Sequence, residues 1–134
     1  RMRRILRSSE EYIWWADLHF DVPALEELIV VADPSTVREV RILSGPTKIC
    51  KHSKKEFIRF KEELNTKGIR SEWRILDKFA HDRFLISKNY CFNVPPVNSW
   101  FQGSYSEVLM TPNRPPFDEW WNRSVPLEDI KVAE

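Results

Sequence analysis

Tyr12-Ile13-Trp14-Trp15-Ala16-Asp17-Leu18-His19-Phe20 is nearly continuously apolar, aromatic and β-forming. A run of that kind reads as a strand buried on both faces, as in a sheet covered by helices. Asp21 follows as an expected N-cap, with Pro23 in the first turn. Leu25, Leu28, Ile29 and Ala32 recur at helical spacing, with Glu26 and Glu27 on the wet side, until Asp33-Pro34-Ser35 stops the helix. Val37 to Leu43 is a second strand, closed by Ser44-Gly45-Pro46. Ser53-Lys54-Lys55-Glu56 has the capping-box pattern and predicts a second helix with Phe57, Phe60 and Leu64 as its apolar stripe. Gly68 stands where a left-handed C-terminal cap is wanted, and Arg70 to Leu76 is a third strand.

Strand, helix, strand, helix, strand is the signature of crossovers on a parallel sheet. The later strands arrive too quickly for crossover helices, so they are expected to pair antiparallel. The fold class is therefore α/β, a mixed parallel/antiparallel sheet flanked by helices. A fourth strand is expected to carry His81 and run toward Phe92. Pro95 and Pro96 break the chain, Ser99 to Met110 resumes as strand with a bend at Gly103, and Phe117 to Arg123 forms a final helix. Residues 1–10 read as a basic, weakly helical lead-in from an upstream region, and 11–134 as one domain.

The totals bound the function. The chain has 134 residues, long enough to bury roughly two-thirds of its unfolded surface. A net charge of +1 makes the whole molecule no electrostatic magnet for nucleic acid or anionic lipid, so such a role needs a local patch. Cys50 and Cys91 form no C-x-x-C pair, and His19, His52 and His81 have no metal-ligand spacing. No disulfide framework, metal or cofactor is expected. No apolar run approaches the roughly 20 residues of a membrane span and no signal peptide is visible, so the chain reads as cytoplasmic. It starts at Arg1 rather than Met, as a piece of a longer polypeptide would.

Lys78-Phe79-Ala80-His81-Asp82-Arg83-Phe84-Leu85-Ile86-Ser87-Lys88 carries the chemistry. A histidine and an arginine two apart leave the same face of a strand and suit a phosphate. The same spacing also fits a wet sheet edge. The order of elements, with Lys67-Gly68-Ile69 before the third strand and His81-Asp82-Arg83-Phe84-Leu85-Ile86 after it, resembles half of a phospholipase D-like domain. Its His-x-Lys-x4-Asp motif is written H-D-R-F-L-I in many prokaryotic relatives. The resemblance covers most of residues 12–123. It is similar in particular to the phospholipase D-like C-terminal domain of MIT-domain proteins, viewed as phospholipid-binding. Archaeal transcription regulators also carry phospholipase D-like halves after a DNA-binding domain, and a basic lead-in like Arg1 to Arg7 would suit such a junction.

The resemblance implies a phospho-histidine mechanism in which two halves supply two histidines, so a lone half must form a homodimer. His81 would be the nucleophile and Arg83 the charge neutraliser. Three departures count against catalysis. The family lysine is Arg83, which never deprotonates. The family acid is Lys88, leaving Glu107, Asp17 or Glu72 to orient His81. The Gly103-Ser104 pair lies past the proline loop. The leading expectation is thus a degenerate, dimeric module in which His81, Arg83, Ser104 and Lys88 bind phosphate on a phospholipid or nucleic-acid backbone. The alternatives are a metal-independent phosphodiesterase using His81, Arg83 and Glu107, and an effector or dimerisation domain of a transcription regulator. A second feature is the basic patch Lys48, Lys51, Lys54, Lys55 and Arg59, near a helix N-terminus, which is either an anion-binding surface or an ordinary solvated face. Trp14, Trp15 and Trp73 are expected in the core, whereas Trp100, Trp120 and Trp121 are expected to line a subunit interface.

Overall fold

The computed structural model describes residues 2–96, 109–111 and 113–132. Its elements in order are α1 (Met2–Arg7), β1 (Glu11–Ala16), α2 (Pro23–Val31), β2 (Val37–Ser44), α3 (Lys51–Thr66) and β3 (Arg70–Ile75). There follow β4 (Phe84–Ser87), β5 (Tyr90–Asn93), β6 (Leu109–Met110), α4 (Phe117–Arg123), β7 (Val125–Pro126) and a 3-10 turn at Leu127–Asp129. The described strands form one mixed sheet in the order β6-β5-β4-β1-β2-β3-β7. β1, β2 and β3 run parallel, and each neighbour added on the flanks is antiparallel.

One face of this sheet is dry. Ile13, Trp15, Val40, Ile42, Trp73, Ile75 and Leu85 meet Leu25, Leu28, Phe57, Phe60 and Leu64 from α2 and α3 in the main core. Phe20 wedges edge-on against both Trp15 and Trp73, with ring centroids 5.1 and 5.2 Å away. The edge-to-face approach sets the positive rim of one ring against the negative face of the next. Trp73 Nε1 donates to Ser44 Oγ at 2.9 Å, so its buried polar atom is satisfied.

The other face is covered by α4 alone among the described helices, and there two expectations change. Trp120 and Trp121 are buried against Phe84, Ile86, Leu43 and Cys91 of their own sheet, and do not wait for a subunit interface. A short helix with three aromatics on one face suffices to shelter strands that α2 and α3 cannot reach. Arg41 lies over the rings of Trp14 and Trp121, and Arg74 over Trp121, at 5.1–5.5 Å from the ring centroids. Trp14 is half-buried here, stacked between Tyr12 and Phe117.

The fourth strand also departs from expectation. It starts at Phe84, and residues 81–83 precede it as a bend. The ladder explains why: β1 pairs with β4 only from Trp14 to Ala16, opposite Ile86 to Phe84. Beyond Ala16 the partner strand turns away, since Phe20 N–H bonds to Asp17 O at 3.1 Å. With β1 no longer alongside, His81 and Arg83 are not held on one strand face, although Arg83 O still accepts from Val94 N–H at 2.8 Å on the β5 side. The run does not reach Phe92 unbroken either, because Lys88 and Asn89 form a turn and β5 returns antiparallel.

The helix ends follow local chemistry. α3 starts two residues before the expected Ser53, with Cys50 as N-cap, and Ser53 fills the third helical position. Its Oγ accepts from Cys50 N–H at 2.9 Å. Val22, not Asp21, is the N-cap of α2, and Asp21 Oδ1 accepts from Val22 N–H at 2.8 Å. Gly68 has φ +78°, as a left-handed cap requires. The basic lead-in packs on the domain: Leu6 lies in the main core and Arg3 pairs with Glu27.

Candidate functional site

The parallel strands β1, β2 and β3 all end on one edge of the sheet, and β4 begins there. In open α/β sheets, loops at that edge form the ligand crevice. Two loops are held tightly together: Gly45 N–H bonds to Leu18 O at 3.0 Å. A Cβ on residue 45 would stand 3.0 Å from that same oxygen, a tight contact that glycine avoids and any other residue would relieve only by a small shift of the Leu18 loop. The loops present Asp17, His19 and Asp21 after β1, Thr47 and Lys48 after β2, and His81 and Arg83 before β4.

Asp17 is the centre of this group. It is an acid with only 1 % of its surface exposed. Its Oδ1 accepts from His19 N–H at 2.8 Å and lies 3.8 Å from Arg83 Nε. Its Oδ2 is buried without a hydrogen-bond partner among the described residues, and so is Arg83 Nε. Burial pushes the Asp17 carboxyl above its ordinary range, while the His19 amide, Arg83, His19 and Lys48 pull the other way. The Arg83 side chain is 30 % exposed, so the acid is the deeper member of the pair. Around it, His19 Nδ1 lies 3.5 Å from Thr47 Oγ1, and Lys48 Nζ lies 3.5 Å from Asp21 Oδ2.

The expected site residues separate into groups. His81 and Arg83 share this edge, but His81 is exposed on the bend and its ring has no partner among the described residues. Lys88 is at the opposite end of β4, where its N–H bonds to Glu10 O at 3.2 Å, so it cannot join the pair. Glu72 pairs with Arg74 at 2.8 Å and does not orient His81. Ser104 and Glu107, with Gly103 and Trp100, lie outside the described residues. Of the basic patch, Lys48 faces Asp21, Arg59 pairs with Glu56 at 3.5 Å, and Lys54 reaches Glu128 O at 3.4 Å. Lys51 and Lys55 are exposed. The patch therefore has several of its cations already engaged.

His19 and Thr47 were invisible as site residues in the sequence. The signal that could have found them is topological: both follow parallel strands directly. Among the described residues no group of three or more His, Cys, Asp or Glu could hold a metal ion. No described helix is long and apolar enough to cross a membrane.

No protein-family model matches the chain, and no curated protein does. Among solved structures it is similar to TrmBL2, an archaeal chromatin protein whose structure shows a novel mode of DNA binding. The superposition has a TM-score of 0.54 at 18% sequence identity. The likeness is one of fold. It takes in 93% of this chain and 48% of TrmBL2, so this chain spans about half the length of that protein.

Proposed function

We propose that this chain is a non-catalytic, phosphate-binding regulatory module of phospholipase D-like descent, working within a DNA-associated protein. The observation that carries the reading is the Asp17–Arg83 pair at the carboxyl edge of the parallel strands. Arg83 Nε lies 3.8 Å from the buried carboxylate while 30 % of the side chain stays exposed, so the guanidinium can turn outward and offer a phosphate a fork of hydrogen bonds. His19 adds a ring nitrogen and Lys48 a positive charge beside it. His81 is exposed and has no orienting acid among the described residues, which counts against nucleophilic work, since histidine-based sites depend on such a partner. The order of elements and the fold likeness to a DNA-binding chromatin protein favour a regulator over a lipid-binding module.

Isothermal titration with inorganic phosphate, comparing the unaltered chain with Arg83→Met, tests the binding. Saturable heat that the variant loses is expected. Cleavage of a chromogenic phosphodiester in the presence of chelator, abolished by His81→Ala, would replace this reading with a phosphodiesterase.

A further inference from the structure

The hydrogen-bonding capacity of the crevice points to the kind of phosphate it takes. An ionised carboxylate only accepts hydrogen bonds. Asp17 Oδ1 already receives the His19 amide, but Oδ2 is buried and receives nothing from the described residues. Such an orphan acceptor is costly, and a ligand that brings it a proton relieves that cost. An anion drawn to Arg83 sets its oxygens close to Asp17. Two negatively charged oxygens repel unless one of them carries hydrogen.

We infer that this crevice selects a phosphomonoester, a phosphate still bearing a proton, over phosphodiesters and sulfate. The inference rests on the phosphate-binding reading above and names its ligand class. A phosphomonoester has its second ionisation near pH 6, so a P–OH group persists close to neutrality. That hydroxyl would donate to Asp17 Oδ2 while the remaining oxygens face Arg83, His19 and Lys48. A phosphodiester and sulfate have no proton to give. Contact requires the Arg83 head to turn outward onto the ligand, which its partial exposure permits and which would uncover the buried Asp17 Oδ2. The titratable and charged groups facing Asp17 are Arg83 at the entry to β4, His19 after β1 and Lys48 after β2, with Asp21 beyond Lys48. They act on every oxyanion alike, so the ratio between ligands isolates Asp17.

The test is titration calorimetry of the whole chain with glycerol phosphate, inorganic phosphate, sulfate and dimethyl phosphate, at mildly acidic and mildly alkaline pH. The unaltered protein should bind the two protonatable ligands about tenfold more tightly than the others, one satisfied buried acceptor being worth that much. The preference should shrink as the pH rises and the P–OH is lost. Asp17→Asn, checked by thermal melting to be folded, should bring all four ligands within about threefold, because an amide donates to any oxyanion oxygen. A 5′-phosphorylated oligonucleotide beside its dephosphorylated twin distinguishes a nucleic-acid end from a free small molecule. The first outcome is binding of the phosphorylated strand alone and tighter than glycerol phosphate; the second is equal binding of glycerol phosphate and that strand. Equal affinity for sulfate or dimethyl phosphate in the unaltered protein would overturn the inference while leaving phosphate binding intact. Absence of binding by all the anions would remove the phosphate-binding reading itself.

Discussion

Removing the Arg83 cation while keeping its stem, as in Arg83→Met, isolates the electrostatics of the pair. At 3.8 Å the Coulomb attraction is about 4 kcal/mol for an effective dielectric near 20. Arg83 is 30 % exposed, and solvent screening reduces that by roughly half. A loss of about 2 kcal/mol at neutral pH is therefore expected, below the 3–5 typical of breaking a fully buried pair. The loss should also depend on pH. Burial raises the folded-state pKa of Asp17 above its unfolded value, so the folded state holds the extra proton in the window just above the ordinary carboxylate range. Stability contributed by that proton falls as pH rises through the window. Without Arg83 the carboxyl moves up further, and the penalty belongs to the charged form. Urea denaturation at pH 7.5 and pH 4.5 should show a large difference between variant and unaltered protein at the first and a small one at the second. An equal loss at both values, or a gain at neutral pH, would refute the reasoning.

Ser44→Ala strips the Trp73 indole of its acceptor in the core and should cost about 1–3 kcal/mol in chemical denaturation. Gly68→Ala meets nothing within 4 Å, so its cost is backbone strain alone, about 1 kcal/mol, and a loss several times larger would show a steric role instead. Tyr90, buried and bonded to Ser9, has its phenol pushed up to about 12. Ultraviolet titration should therefore find a tyrosine that ionises only near that pH. Because the folded pKa lies above the unfolded one, stability from this group should decline as pH climbs past 10 toward 12. Tyr90→Phe should abolish that late ionisation.

Much of the scaffold was legible from residues 12–76. The apolar run around Ile13 and Trp15 announces a buried strand, although Tyr12 and Trp14 on its other face are only half-buried, and Phe57, Phe60 and Leu64 announce a helix stripe. The antiparallel flanks followed from spacing too short for a helix. What escaped was decided by partners rather than by local pattern. His81 and Arg83 look like strand residues until β1 is seen to stop at Ala16. Lys88-Asn89 reverses the chain inside an apolar alternation, with neither glycine nor proline to signal it. Cys50 is an uncommon N-cap, so Ser53 drew the reading inward by three positions. The aromatics of α4 suggest a partner surface because nothing in the sequence tells that, among the described helices, α4 alone covers one sheet face. Of the site, Arg83 was legible; the buried pairing with Asp17, and the approach of His19 and Lys48, depend on loop ends that only topology brings together.

The most direct test is an amide and side-chain NMR titration of the unaltered chain with inorganic phosphate. Saturating shifts at Asp17, His19, Thr47, Lys48 and the Arg83 guanidinium, with little change on β5 or at Lys88, are the predicted result. Shifts confined to the exposed lysines of α3, or none at the Arg83 guanidinium, would contradict the account.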